Sequence, residues 1–371
     1  MTDTADGAGQ GLAALRFLVG GYTASRGGNA TGISLVEADT AGDLTARTIA
    51  VVDNPSFLVQ SGDSVFAVSE AAEGSVHAFR RHDATLEHRW DAPSHGADPC
   101  HAHVDASGVL LLANYSSGSV GAVALEPADV HAESVLHDGT VAYEHGAETR
   151  AGAPVLSTTG TDLPHGSGPV VTRQEQPHAH QVVAGRNGTV LVSDLGGDAI
   201  HEYRMGVDDD GAPVIDHVRQ HTLPAGTGPR HMAWWGDHLL VSGELDGRVH
   251  RLQADADGVL HDVESAPAFG GPVGETLLSH IEVDDTGRVY VAARGRDTIC
   301  VLDAAQGLRR LAEVPCGGSW PRHFARVGGF LLVANERSDG VAVLPLDQDG
   351  IPGVPVAVVP VGTPTCIVPI A

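Results

Sequence analysis

Thr227 to Glu244 reads T-G-P-R-H-M-A-W-W-G-D-H-L-L-V-S-G-E. A Gly228-Pro229 turn opens it and sets Arg230 and His231 directly behind. A short apolar segment follows, then a tight Gly236-Asp237 turn, then a second apolar run from His238 to Ser242. Glu244 falls in the next turn, with Leu245-Asp246-Gly247. Two strands joined by a hairpin bring the chain back to the side it left. Arg230, His231 and Glu244 are therefore expected at the same end of one sheet, where a cation, an imidazole and a carboxylate are material for a small-molecule site.

Working outward, the pattern repeats. Asn54-Pro55 opens one unit, Pro99 the next (P-C-H-A-H-V-D-A-S-G, then V-L-L-L-A-N-Y) and Pro177 a third (P-H-A-H-Q-V-V, then T-V-L-V-S-D-L). The quoted stretch is the fourth. The fifth reads L-S-H-I-E-V-D-D-T-G, R-V-Y-V-A-A-R without a Pro, and the sixth opens at Pro321 with P-R-H-F-A-R-V. Pro55, Pro99, Pro177, Pro229, Pro321 and Pro364 are spaced 44, 78, 52, 92 and 43 residues apart, and His280 divides the 92. A period of roughly 43 to 52 residues with about four short strands per unit is the signature of a β-propeller blade. Six full units, plus a seventh made of the C-terminal strand and three N-terminal strands (Arg16–Tyr22, Ile33–Glu37 and Thr48–Val52), predict an all-β, seven-bladed propeller of four-stranded antiparallel blades. Its ring is closed by pairing the chain ends in one blade, which removes open sheet edges.

Composition bounds the rest. The chain has 371 residues, with Gly 47 and Pro 21 as turn punctuators. Residues 1–15 are read as a disordered leader without a basic, export-type start, and 16–371 as one propeller. The 78-residue spacing places an insertion within 126–176, read as an outer strand plus a long loop containing His131, His137, His145 and His165. No apolar run reaches the roughly 18 residues of a membrane helix. Cys100, Cys300, Cys316 and Cys366 lack metal-type spacing and read as buried thiols. The net charge is −25 and every basic residue is Arg, which argues against nucleic acid and anionic membranes as partners. A cytoplasmic protein, monomeric or weakly homo-oligomeric, is expected. In so acidic a chain, an anionic ligand needs a local Arg cluster.

In a four-stranded meander the turn leading into strand one and the turn after strand two share a face. The leading positions supply His101, His178 and His180, Arg230 and His231, His280, and Arg322 and His323. The strand-two ends supply Glu70, Tyr115, Asp194, Glu244, Arg294 and Glu336. All are expected at one mouth of the propeller channel. A His there can serve structurally by pinning a turn carbonyl. Three guanidinium groups (Arg230, Arg294, Arg322) call for counter-charges, either Glu244, Glu336 and Asp194 or a bound carboxylate or phosphate. Imidazoles spread one per blade do not focus on a metal, so none is expected.

Gly226-Thr227-Gly228-Pro229-Arg230-His231-Met232, Glu244-Leu245, His280-Ile281, Asp284 to Gly287 ahead of Tyr290 to Arg294, and Pro321-Arg322 resemble the seven-bladed propeller lactonases, from Phe17-Leu18-Val19-Gly20 to the last strand. That family includes the propeller-type 6-phosphogluconolactonases and carboxymuconate-cyclising enzymes. The resemblance implies a cofactor-free site with His180, Arg230, Glu244 and Arg294. P-H-A-H leaves either His178 or His180 in the first role. Without Lys, a phosphate would be held by Arg, His and backbone. The resemblance thus implies a small anionic lactone as substrate, 6-phosphogluconolactone of the pentose phosphate pathway foremost. His180 would be general base, Glu244 would orient it or take the proton, and Arg230 would stabilise the oxyanion by about 3 kcal/mol. Arg294 and Arg322 would hold the anionic tail, with His178, His231, His280, His323, His101 and Tyr115 lining the site. A cycloisomerase using the same His and Glu is the alternative. A protein-binding platform is a third reading, which the 4% aromatic content disfavours.

Overall fold

The computed structural model describes residues 14–126 and 157–370, together with Leu12 and Asp129. Its strands form seven four-stranded antiparallel sheets, the blades of a seven-bladed β-propeller. Numbered in chain order by their first strands, blades one to six begin at Leu58–Ser61, Pro99–Val104, Ala179–Ala184, Pro229–Trp235, Leu277–Val283 and Pro321–Val327. The closing blade takes Pro364–Pro369 as its first strand and Arg16–Gly21, Ile33–Ala38 and Leu44–Ala50 as the others. Phe17 pairs with Pro369 and Val19 with Ile367, so the two chain ends share one sheet. The third N-terminal strand starts earlier than the sequence suggests. The Asp39 carboxylate accepts the N–H groups of Ala41 and Asp43, tightening the hairpin and bringing Leu44 opposite Ala38.

Residues group into two compact units: 57–265, with blades one to four, and 1–56 with 266–371, with blades five, six and the closing blade. Within each unit the core lies between blades. Every second strand of blades one to six is an apolar run buried on both faces, as in Val109–Asn114. Its alternation divides it: Leu110 and Leu112 pack with Phe66, Val68 and Trp90 of blade one. Val109, Leu111 and Ala113 pack with Val182, Val190 and Tyr203 of blade three. In the other unit Phe17, Val19 and Ile367 pack with Leu332 and Val343, and Leu12 and Leu15 join them. Residues 1–11 and 13 of the expected leader lie outside the described residues, as do His131, His137 and His145. The expected outer strand of blade two is Thr158–Asp162.

One irregularity recurs. The pairing of first and second strands shifts register at Pro99/His101, Ala179/Gln181, Pro229/Met232, Leu278/Ile281 and Pro321/His323. A β-bulge re-aims the extra side chain, and these bulges fall on the His and Arg positions singled out in the sequence.

Candidate active site

In the unit 57–265 the leading turn of blade four carries Arg230. Gly228 there has φ +56, and a Cβ on it would meet the Leu245 side chain at 2.5 Å, so the turn needs glycine twice over. Glu244 N–H donates to the Gly228 carbonyl at 2.9 Å, which places the strand-two end against the leading turn as expected. Arg230 Nε lies 3.0 Å from a Glu244 carboxylate oxygen, both side chains almost fully buried. The bulge at His231 is fixed by Ser242, whose hydroxyl accepts the His231 N–H at 3.1 Å. The hydroxyl of Ser193 donates to the Arg230 carbonyl at 2.7 Å and joins blade three to blade four.

The imidazoles form a contiguous run. His101 meets His231 edge-on at 5.6 Å between centroids, His231 meets His180 at 5.3 Å, and His180 meets Tyr115 at 5.7 Å. Tyr115 stacks on His178 at 4.4 Å. His178 is a turn-pinning residue: its Nδ1–H donates to the Tyr115 carbonyl at 2.9 Å, and its Nε2 lies 3.3 Å from Glu175. His180 instead meets His231 and Tyr115 in near-perpendicular ring contacts, so the two histidines that the sequence leaves equivalent have different surroundings.

Arg173 was not legible as a site residue. It sits at the end of the 126–176 insertion, and its Nη2 donates to the Tyr115 hydroxyl at 3.3 Å and to the Glu244 carboxylate. Glu244 thus holds two guanidinium groups. Burial disfavours the Arg173 charge, but Glu244 more than offsets this and keeps the group cationic. Burial pushes the Tyr115 phenol up, partly opposed by Arg173, so it stays protonated. The segment is anchored next door. The buried Gln174 amide donates to the Leu195 carbonyl at 2.9 Å and to Asp198 at 2.8 Å.

His280, Arg294, Arg322 and His323 lie in the other unit. His280 stacks on His323 at 3.9 Å. Arg294 donates to the Leu278 carbonyl at 3.0 Å and lies over Trp320 at 5.7 Å. Arg322 pairs with Glu336 at 3.0 Å and donates to the Tyr22 hydroxyl at 2.6 Å. The counter-charges expected for Arg230 and Arg322 are therefore Glu244 and Glu336, each 14 residues downstream in its own blade. Asp194 plays no such part. It accepts the N–H groups of His178, Gly196 and Gly197 and secures a turn. Glu244 is gripped by the guanidinium groups of Arg173 and Arg230.

Among the described residues one group of potential metal donors gathers, bound together by hydrogen bonds of 2.6 Å from each of two histidines to Asp91. His77 Nδ1, His88 Nε2 and an Asp91 oxygen lie within 4.8 Å of one another on the outer strands of blade one. No helix among them is long and apolar enough to cross a membrane.

A propeller that presents Arg and His from bulged first strands and Glu from the end of a second strand suits a class of enzymes acting on small molecules. The chain belongs to the lactonase family described as "Lactonase, 7-bladed beta-propeller", which matches residues 16–369; it is a hydrolase of lactone esters. The 6-phosphogluconolactonase of Bacillus subtilis is 28% identical over 89% of this chain and 91% of its own. That of Formosa agariphila is 26% identical over 90% and 93%. The Pseudomonas aeruginosa periplasmic gluconolactonase superposes with TM-score 0.77 at 25% identity, covering 96% of this chain and 99% of that one.

Proposed function

We propose that this chain hydrolyses a sugar lactone, 6-phosphogluconolactone first among them, with the cluster in unit 57–265 as its centre. One observation carries the reading: the Tyr115 ring touches His180 while its hydroxyl accepts from Arg173, which holds the Glu244 that also holds Arg230. An imidazole and two guanidinium groups are thereby linked through one phenol and one carboxylate. The relatives named 6-phosphogluconolactonase support the phosphorylated substrate.

In this reading His180 removes a proton as water attacks the lactone carbonyl. Arg230 sits opposite the developing oxyanion, where a preorganised donor contributes about 3 kcal/mol. The tetrahedral intermediate collapses with cleavage of the bond between acyl carbon and ring oxygen. His180 returns its proton to that oxygen, giving the hydroxy acid. Glu244 is a positioning residue that holds both guanidinium groups and balances their charge.

The test is turnover on a panel of lactones, phosphorylated and not, against spontaneous hydrolysis at the same pH. Acceleration that disappears in His180→Ala is expected. Rates indistinguishable from spontaneous hydrolysis on every lactone would overturn the reading.

A further inference from the structure

We propose that Arg173 is the phosphate receptor of this site and sets its preference for phosphorylated over neutral sugar lactones. The inference rests on the functional reading above and names the group that selects the substrate. Four observations converge on it.

Arg173 is the solvent-facing member of a buried charge cluster. Its side chain is 32% exposed, against 2% for Glu244 and 3% for Arg230. An incoming anion meets it first. Its fork is also only partly used. Both of its hydrogen bonds leave from Nη2, and among the described residues no hydrogen bond leaves Nη1 or Nε. On a side chain about a third exposed, Nη1 and Nε are thus left to donate singly to phosphate oxygens.

The side chain is held at its base by the neighbouring residues and at Nη2 by Tyr115 and Glu244. Gln174 and Gln176 flank it; Gln174 is fully buried on Leu195 and Asp198, and Gln176 donates to the Ser116 carbonyl at 2.7 Å. A phosphate therefore meets a preorganised donor, with little backbone ordering left to lose. Finally, the chain carries a net charge of −25 without a lysine. Attraction of a dianion has to be local, and in this unit Arg230 lies almost wholly buried against Glu244.

The experiment is calorimetric binding of two products, 6-phosphogluconate and gluconate, to wild type, Arg173→Gln and Arg173→Lys. Wild type is expected to bind the phosphorylated acid at least about tenfold more tightly. Arg173→Gln should abolish most of that preference while gluconate binding changes by less than about threefold. Arg173→Lys, which keeps the charge but not the fork, should fall between them. Equal weakening of both ligands would make Arg173 a merely structural support of Glu244 and Tyr115, and would overturn the proposal. So would a preference that survives in Arg173→Gln, or none in wild type. Should Arg173→Gln fail to fold, Arg173→Lys decides: a reduced preference supports the proposal and an unchanged one sinks it. Wild-type turnover is measured in parallel. Failure of lactone hydrolysis would count against the enzymatic reading and leave this binding result to stand or fall alone.

Discussion

Gln174 donates its side-chain amide to the Asp198 carboxylate at 2.8 Å, and that bond ties the segment bearing Arg173 to the turn bearing Arg230. The same carboxylate accepts the backbone N–H groups of Gly226 at 2.6 Å and Gly228 at 2.7 Å. One buried side chain therefore fixes the bases of both cations that grip Glu244.

Removing it should be costly. Asp198→Ala deprives three donors of their acceptor, and an unsatisfied buried group costs about 1–3 kcal/mol. Asp198 also has φ +49, where alanine is disfavoured and asparagine tolerated. We expect Asp198→Ala to destabilise the fold by about 3 kcal/mol, and Asp198→Asn by clearly less. Urea unfolding with an unchanged slope measures both. An alanine variant as stable as wild type would show that the turn holds itself.

The two histidines of P-H-A-H should separate by assay. His180→Ala is expected to lower kcat by about 10²–10⁴ with little change in unfolding midpoint. His178→Ala loses a hydrogen bond to the Tyr115 carbonyl and the stack on its ring. It should cost about 1–2 kcal/mol of stability and retain most of the turnover. The reverse pattern in a paired kinetic and unfolding experiment would hand the base role to His178.

These contrasts show what the sequence could and could not reveal. Blades were legible because turn chemistry punctuates each unit at the same offsets, and because a second strand buried on both faces reads as a run such as V-L-L-L-A-N. The pairing of Arg230 with Glu244 was legible as one of two options, since both sit at one end of a single hairpin. The choice between His178 and His180 was not. It depends on the bulge at Ala179/Gln181, which period-two reasoning cannot see. Arg173 was invisible for another reason. It follows a polar insertion with no periodicity, and its contact with Glu244 spans 71 residues. Buried Gln174 and its neighbour Gln176 bring it to the site.

The Arg230–Glu244 pair invites a test that separates stability from chemistry. Glu244→Gln removes the carboxylate from a deeply buried cation, and breaking such a pair costs about 3–5 kcal/mol. Replacing both partners, as in Arg230→Met with Glu244→Leu, should restore the part of that loss that comes from the stranded Arg230 charge, while Arg173 still lacks its carboxylate. The double variant should nonetheless hydrolyse lactone no faster than the spontaneous rate. If it kept wild-type turnover, Arg230 would have no part in stabilising the oxyanion.

Blade four contains a separate ionisation that should shape stability against pH. His250 is fully buried, with Nε2 2.8 Å from Asp246 and Nδ1 2.8 Å from Asp262. Burial alone would drive off its proton, but the two carboxylates win and raise its pKa to about 9 from 6.5. The folded state therefore binds this proton more tightly than the unfolded chain. Its contribution is complete below pH 6.5, shrinks between 6.5 and about 9, and is gone above that. The size is about 3 kcal/mol. His250→Gln serves as the reference, because subtracting its unfolding free energy from that of wild type at each pH cancels the other titrating groups. We expect that difference to be largest at pH 6 and to fall steadily to pH 9.5. A difference that stays flat, or that grows with pH, would mean that His250 is neutral in the folded blade and that the two aspartates are held apart by something other than its charge.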